Sequence, residues 1–388
     1  MSEANPLLFT PITVRGVTAR NRVVISPMCQ YSSEDGIATE WHRVHLPNFA
    51  RGGAGIVFTE ATAVERIGRI THGDLGIWTD KHAEALKPIV AEIKNFGALA
   101  GLQLAHAGRK ASTQRPWEGN GLLTEADAQR GDAPWQVVAP TTEPLQPTWP
   151  KAHALSESEI RTLSETFAAG ARRALAAGFD VIAVHAAHGY LIHTFLSPLT
   201  NRRNDAYGGD RNGRMRFMLE IAEAIRREWP QDKPLFVRIS AIDNHPEGWQ
   251  LEDSIVLAGE LKKRGVDVID CSSGGFAGAP VWRLIDQAGN APSPQPLPTR
   301  VPGFQVPLAA RIKREVGILT QAVGFISEAK QAEKILQDGD ADFIAIARAA
   351  LYDPFWANHA AQELAADAKF TLWPEQYAWW LRNRRKVS

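Results

Sequence analysis

Two kinds of apolar pattern alternate along the chain. Short uninterrupted runs such as Val23-Val24-Ile25, Ile56-Val57-Phe58 and Val181-Ile182-Ala183-Val184 read as strands buried on both faces, as in a parallel sheet covered by helices. Between them lie stretches with helical character, Glu40 to Arg51, Lys81 to Phe96, Asn212 to Trp229 and Glu252 to Lys263. The clearest helix opens with the capping box Ser156-Glu157-Ser158-Glu159. It carries Ile160, Leu163, Phe167, Ala171, Ala174 and Leu175 on the helical period and ends at Gly178, suited to a left-handed stop.

Helix, then glycine, then strand is a repeating unit. Gly178-Phe179-Asp180-Val181-Ile182, Gly265-Val266-Asp267-Val268-Ile269 and Ala341-Asp342-Phe343-Ile344 each follow a helix and start a strand. With Leu99 to Leu104, Leu235 to Ile239 and Ile318 to Ala322, eight strands are predicted, near residues 22, 54, 99, 181, 235, 267, 318 and 342. Eight alternating units without a compositional break predict an α/β fold, a closed (β/α)8 TIM barrel forming a single domain over 1–388. An open doubly wound sheet would need a linker dividing the units into halves, and none is visible. The segments 105–151 and 274–302, rich in Pro, Gly and Trp, are too long for plain connections and are expected to form capping loops on the C-terminal face.

Composition narrows the partners. Lys+Arg and Asp+Glu both number 43, so no net field favours nucleic acid or an anionic membrane, and a small molecule is expected. The two cysteines, Cys29 and Cys271, are too few for a disulfide framework or an iron–sulfur cluster, which points to a reducing, cytoplasmic location. No signal-peptide pattern and no apolar run of about 18 residues is seen.

Residues just past the strands of such a barrel face the ligand. That rim is predicted to carry Cys29 and Tyr31, Glu60 and Ala61, Gln103 and His106, then His185, His188 and Tyr190. Arg238, the run Cys271-Ser272-Ser273-Gly274-Gly275, Gly324 and Arg348 complete it. The last two positions suit a phosphate, and hence a phosphorylated cofactor. Each residue alone has a plainer reading: Cys29 as a small core residue, Arg238 as an ion pair, Gly324 as a turn. His185 and His188 have zinc-ligand spacing but no third ligand cluster. Convergence on one rim is what favours chemistry.

Four motifs then carry a resemblance: Ser26-Pro27-Met28-Cys29-Gln30-Tyr31, Gln103 to Lys110, His185 to Leu191, and Leu196 to Arg203. Over about Leu8 to Trp356 the chain resembles the Old Yellow Enzyme family, within it the thermophilic-like, xenobiotic-reductase branch with a Cys at position 29. The resemblance implies non-covalent FMN, reduced by NADPH or NADH, and an ene-reductase that reduces the C=C bond of α,β-unsaturated carbonyl compounds. Ser26, Pro27, Met28 and Cys29 would lie along the flavin, with Ala61 and Gln103 at its pyrimidine side. Arg238 would sit near N1 and O2, and Gly324, Ala347 and Arg348 would bind the phosphate. The family usually has Gly where this chain has Ala347. His185 and His188 would bind the carbonyl oxygen, Tyr31 would add a substrate contact, and Tyr190 would protonate the α-carbon. A homodimer or homotetramer is implied, with 357–388 a C-terminal extension at a subunit interface. Trp380 or Arg382 would enter the neighbouring site, or else the aromatic cluster would close the barrel's flank. Other flavin barrels would share FMN but lack the paired histidines with Tyr190. A metal-dependent hydrolase or a scaffold would leave the rim without a use.

Overall fold

The computed structural model describes residues 6–275 and 301–383. The chain opens with an antiparallel hairpin, β1 (Ile12–Val14) and β2 (Val17–Ala19), followed by β3 (Val23–Ile25), β4 (Ile56–Ala63) and β5 (Leu99–Ala105). Inside the long connection after β5, β6 (Val138–Ala139) pairs in parallel with β7 (His153–Ala154). Then come β8 (Val181–Ala186), β9 (Leu235–Ser240), β10 (Val268–Ser272), β11 (Leu319–Ala322) and β12 (Phe343–Ile346). Strands β3, β4, β5 and β8 to β12 close into a barrel with every pairing parallel. The expected (β/α)8 barrel is the fold.

Helices α1 (Glu40–Arg51) and α2 (Asp80–Asn95) follow β3 and β4. A short α3 (Glu125–Gln129) lies in the long connection, and α4 (Glu157–Ala177) precedes β8. Ser156 and Glu159 form the expected capping box, and Gly178 stops α4 in the left-handed region at φ 92°. A cap of this kind stabilises its helix by ~1 kcal/mol. The remaining helices among the described residues are α5 (Leu191–Leu196), α6 (Arg211–Glu228), α7 (Leu251–Lys263), α8 (Val306–Val316), α9 (Ala329–Gln337), α10 (Arg348–Tyr352), α11 (Trp356–Glu363) and α12 (Glu375–Leu381). No helix among the described residues is long and apolar enough to cross a membrane.

The pleat sorts each strand into an inner and an outer set. Outward residues such as Val23, Val57, Leu102, Ile182, Val184, Val237, Ile269 and Ile344 pack with the helices in one large core. Inward residues Val24, Ile56, Phe58, Val181, Ala183, Phe236, Val268 and Phe343 form a second cluster that also takes in Val14 and Ala19 of the hairpin. The hairpin thus plugs the N-terminal mouth. Gly16 N–H donates to Asp232 O at 2.8 Å, and Arg15 Nε donates to Asp267 Oδ1 at 2.7 Å, tying it to the loops before β9 and β10.

The pleat also corrects two expected positions. Cys271 lies within β10 and faces the helix layer, so it is a core residue and not part of the rim. Glu60 lies inside β4, where its carboxylate bonds His42 Nε2 (3.0 Å) and accepts Gln30 N–H (3.0 Å). Most of the expected loop 274–302, together with Arg384, Arg385 and Lys386, lies outside the described residues.

Candidate active site

Above the inner apolar layer the inward positions turn polar. Each strand reaches them two residues after its last inward apolar side chain: Ala183 then His185, Phe236 then Arg238, Val268 then Asp270, Leu319 then Gln321. The register makes this a continuous row, because His185 pairs with Arg238, Arg238 with Asp270, and Asp270 with Gln321. On the other side Ala61 pairs with Gln103 across a bulge in β4. His185 is therefore the last inward residue of β8 itself, since the strand runs on to Ala186, and does not follow the strand as expected.

This row holds buried polar atoms without hydrogen-bond partners: Ser26 Oγ, Gln103 Nε2, His185 Nδ1, Arg238 Nε, Asp270 Oδ1 and Gln321 Oε1. Each orphan of that kind ordinarily costs ~1–3 kcal/mol, so a concentration of them on one surface marks where a polar ligand belongs. Donors (Gln103 Nε2, Arg238 Nε) and acceptors (Asp270 Oδ1, Gln321 Oε1) are both present there, which suits a flat heterocycle with both along its edge. Asp270 and Gln321 were missed at the sequence level, although polar residues at inward parity in apolar strands are a readable signal. Arg238 Nε lies 3.4 Å from Asp270 Oδ2, so the ion-pair reading of Arg238 is also correct.

Three rings meet above the row. The centroids of His185 and His188 are 5.2 Å apart, and those of His185 and Tyr190 are 5.0 Å apart. Burial, and then the charge of Arg238, pushes both imidazoles well below their ordinary pKa, so each is neutral with one N–H to donate. Burial, then Cys29 and Asp74, raises the Tyr190 phenol, which keeps its proton. His188 Nε2 lies 2.6 Å from Ser272 Oγ. Tyr31 is half-buried at a positive φ of 52°, and its hydroxyl too is pushed up, chiefly by burial. Burial, Glu60 and Asp74 keep the neighbouring Cys29 as a thiol. Pro27 and Met28 lie half-buried between Ser26 and Cys29.

The expected phosphate residues sit at the ends of β11 and β12. Gly324 has φ 119°, and a Cβ there would meet Gln305 Nε2 at 3.0 Å and the Phe304 ring at 3.1 Å. Ala347 has φ −119°, outside the left-handed region that favours glycine. Arg348 is exposed, its guanidinium 5.1 Å from the Phe325 ring centroid. His106 does not join the rim: it bonds Glu65 (2.8 Å) and accepts Gly108 N–H (3.0 Å), stapling its own loop. Lys110, unassigned by the sequence, is buried against Tyr190, with Nζ 5.3 Å from that ring's centroid. Burial, then Arg109, brings its pKa down to about 7.

At the C-terminus Trp373 stacks on Phe355 at 5.5 Å, whereas Trp379 and Trp380 pack on each other and remain exposed. Arg382 Nε donates to Lys369 O at 3.1 Å.

Residues 7–367 match the model of the NADH:flavin oxidoreductase / NADH oxidase family. The chain belongs to this family. An NADPH dehydrogenase of Geobacillus sp. (strain WCH70) is 44% identical over 360 residues, 92% of this chain and 94% of that one. The old yellow enzyme homologue from Zymomonas mobilis superposes with a TM-score of 0.70 at 25% identity, covering 96% and 99% of the two chains. Morphinone reductase, at 24% identity, shares the fold, with a TM-score of 0.72 over 94% of this chain and 91% of that one. This Old Yellow Enzyme family member is thus a flavin oxidoreductase, with FMN as its cofactor and NAD(P)H as its reductant. The orphaned atoms along Gln103, Arg238, Asp270 and Gln321 fit such a group by their chemistry.

Proposed function

We propose that the chain is an ene-reductase acting on α,β-unsaturated carbonyl compounds. The observation that carries this reading is the convergence of two neutral imidazoles and one protonated phenol within about 5 Å at the end of β8. When bound, FMN supplies hydride, taken from NADPH or NADH and given to the substrate's β-carbon.

His185 and His188 donate hydrogen bonds to the carbonyl oxygen, where negative charge develops as the β-carbon is attacked. Neutral donors in a buried site strengthen as that charge grows, which is the differential binding that accelerates a reaction. Tyr190 gives its proton to the α-carbon from the opposite face. Tyr31 adds a contact to the substrate. Ser26, Pro27, Met28 and Cys29 line the cofactor, and Ala61 and Gln103 meet its pyrimidine edge. Arg238 supplies a fixed positive charge where electron density accumulates, and Gly324, Ala347 and Arg348 hold the phosphate. Residues 1–388 form one FMN-binding domain, in which the exposed pair Trp379 and Trp380 supports placing 357–388 at the interface of a homodimer or homotetramer. Trp380 or Arg382 then reaches the neighbouring site.

The visible spectrum of the purified protein tests the reading. Flavin absorbance is expected at the start, bleaching with NADPH under anaerobic conditions and returning on addition of cyclohexenone. Bleaching without return would remove the enone from the proposal.

A further inference from the structure

The turn that presents His188 and Tyr190 is an improbable piece of backbone. His188 has φ 61° and Gly189 φ 74°, two successive left-handed residues of which only one is glycine. Such a turn persists only where its surroundings hold it, and here the N–H and C=O of His188 and the N–H of Gly189 are each tied. His188 N–H donates to Ser240 Oγ at 2.9 Å, and His188 O accepts from Lys110 Nζ. Gly189 N–H donates to His193 Nδ1 at 2.7 Å.

That last bond fixes the chemistry of His193. A backbone N–H can only donate, so Nδ1 must be bare, and the ring's one proton must be on Nε2. Nε2 points at Asp243 Oδ1, 2.8 Å away, and both side chains are buried. Asp243 is itself held by Ser197 Oγ at 2.6 Å and Trp249 N–H at 2.7 Å, both on Oδ2. Burial alone would raise its pKa, but His193, Ser197 and the Trp249 N–H together keep it below the ordinary carboxylate value. The carboxylate accepts from Nε2–H and selects the tautomer that Gly189 requires.

We infer that His193, locked in one tautomer by Asp243, is a positioning residue that holds the His188–Gly189 turn and so aims His188 and Tyr190. Neither group touches the reacting atoms. The inference rests on the roles given to His188 and Tyr190 above, and deepens them by naming what sets their geometry.

Asp243→Asn separates positioning from packing. An amide with its oxygen facing Ser197 and Trp249 presents NH2 to Nε2, which forces the proton onto Nδ1, against Gly189 N–H. His193→Asn does the converse, because its amide oxygen reaches the Nδ1 position and still accepts from Gly189. With the FMN-loaded enzyme, the two half-reactions are followed separately by rapid mixing with NADPH and then with cyclohexenone. In Asp243→Asn, flavin reduction by NADPH is expected within about twofold of wild type, and re-oxidation by cyclohexenone about 10- to 100-fold slower, the size expected for a misplaced group. His193→Asn is expected to keep most of the re-oxidation rate. Nitrogen NMR of the wild-type enzyme is expected to show His193 protonated on Nε2 and bare on Nδ1.

Wild-type rates in Asp243→Asn, equal slowing of both half-reactions in both variants, or the opposite tautomer would each overturn the inference. Tyr190→Phe tests the underlying reading independently. If it re-oxidises at the wild-type rate while Asp243→Asn is slow, the acid assignment fails and the positioning of His188 stands.

Discussion

His185 on β8 and Arg238 on β9 are direct register partners, both pointing into the barrel. A cation beside an imidazole disfavours a second positive charge, so Arg238 adds to burial in keeping His185 neutral. In Arg238→Gln the His185 pKa is expected to rise toward its ordinary value without reaching it, because burial is the larger cause of the depression. An NMR titration of His185 measures this. FMN should also bind about tenfold more weakly, the equivalent of one charged hydrogen bond of ~1.4 kcal/mol. An unchanged His185 pKa would deny the electrostatic coupling.

The two half-reactions are expected to respond differently to the rim residues. On the proposed role, His185→Ala would remove a donor to the substrate oxygen and should slow re-oxidation by an enone by ~10²-fold, while reduction by NADPH changes much less. Tyr190→Phe would remove the proposed proton source, with an expected ~10²-fold or larger loss in turnover. Similar small effects on both half-reactions would argue that neither side chain meets the carbonyl substrate.

Asp74 gives the fold a pH signature. It shares a small cavity with His185 and Tyr190 and accepts Ile70 N–H (2.6 Å), Thr71 N–H (3.0 Å) and Thr71 Oγ (2.9 Å). Burial pushes its pKa up to about 7, against the pull of those hydrogen bonds. An unfolded aspartate titrates near ~3.9, so between there and about 7 the folded state holds the extra proton. This contribution to stability is present at low pH and is lost as pH rises through that window. Thermal melts from pH 5 to 8 should therefore fall more steeply for the wild type than for Asp74→Asn. Parallel slopes would assign the pH dependence to other groups.

Two small residues at the proposed phosphate end should behave in opposite ways. Gly324→Ala forces a side chain onto φ 119° and against Gln305 and Phe304, and is expected to destabilise the fold and weaken FMN binding tenfold or more, a cost of ~1–3 kcal/mol. Ala347→Gly has no left-handed φ to relieve, since φ there is −119°, and should leave FMN affinity within about threefold. Fluorescence titration of the apoprotein with FMN compares them. Equal effects would mean that backbone conformation does not control this end of the site.

The barrel was legible because its strands are buried on both faces and its helices carry caps, signals that survive without any tertiary information. The runs around Val181, Leu235 and Val268 and the box at Ser156 are such signals. What was lost depended on facing. Cys271 and Ser272 are adjacent in sequence, but the pleat sends one to the helices and the other toward His188. Asp270 and Gln321 went unnoticed because a polar residue within an apolar run looks like a boundary until register puts it beside Arg238. The hairpin was too short to show a period, with three residues in each strand. The tautomer of His193 needs a partner 50 positions away, which spacing alone does not supply.

Among the described residues, the hairpin corks the N-terminal mouth of the barrel, which leaves the rim as the approach to the inner polar row. On the proposed function, nicotinamide donor and electron acceptor would use one doorway in turn, the first product departing before the second reactant enters. Steady-state kinetics should accordingly give parallel double-reciprocal lines, and each reactant, at excess, should obstruct the other.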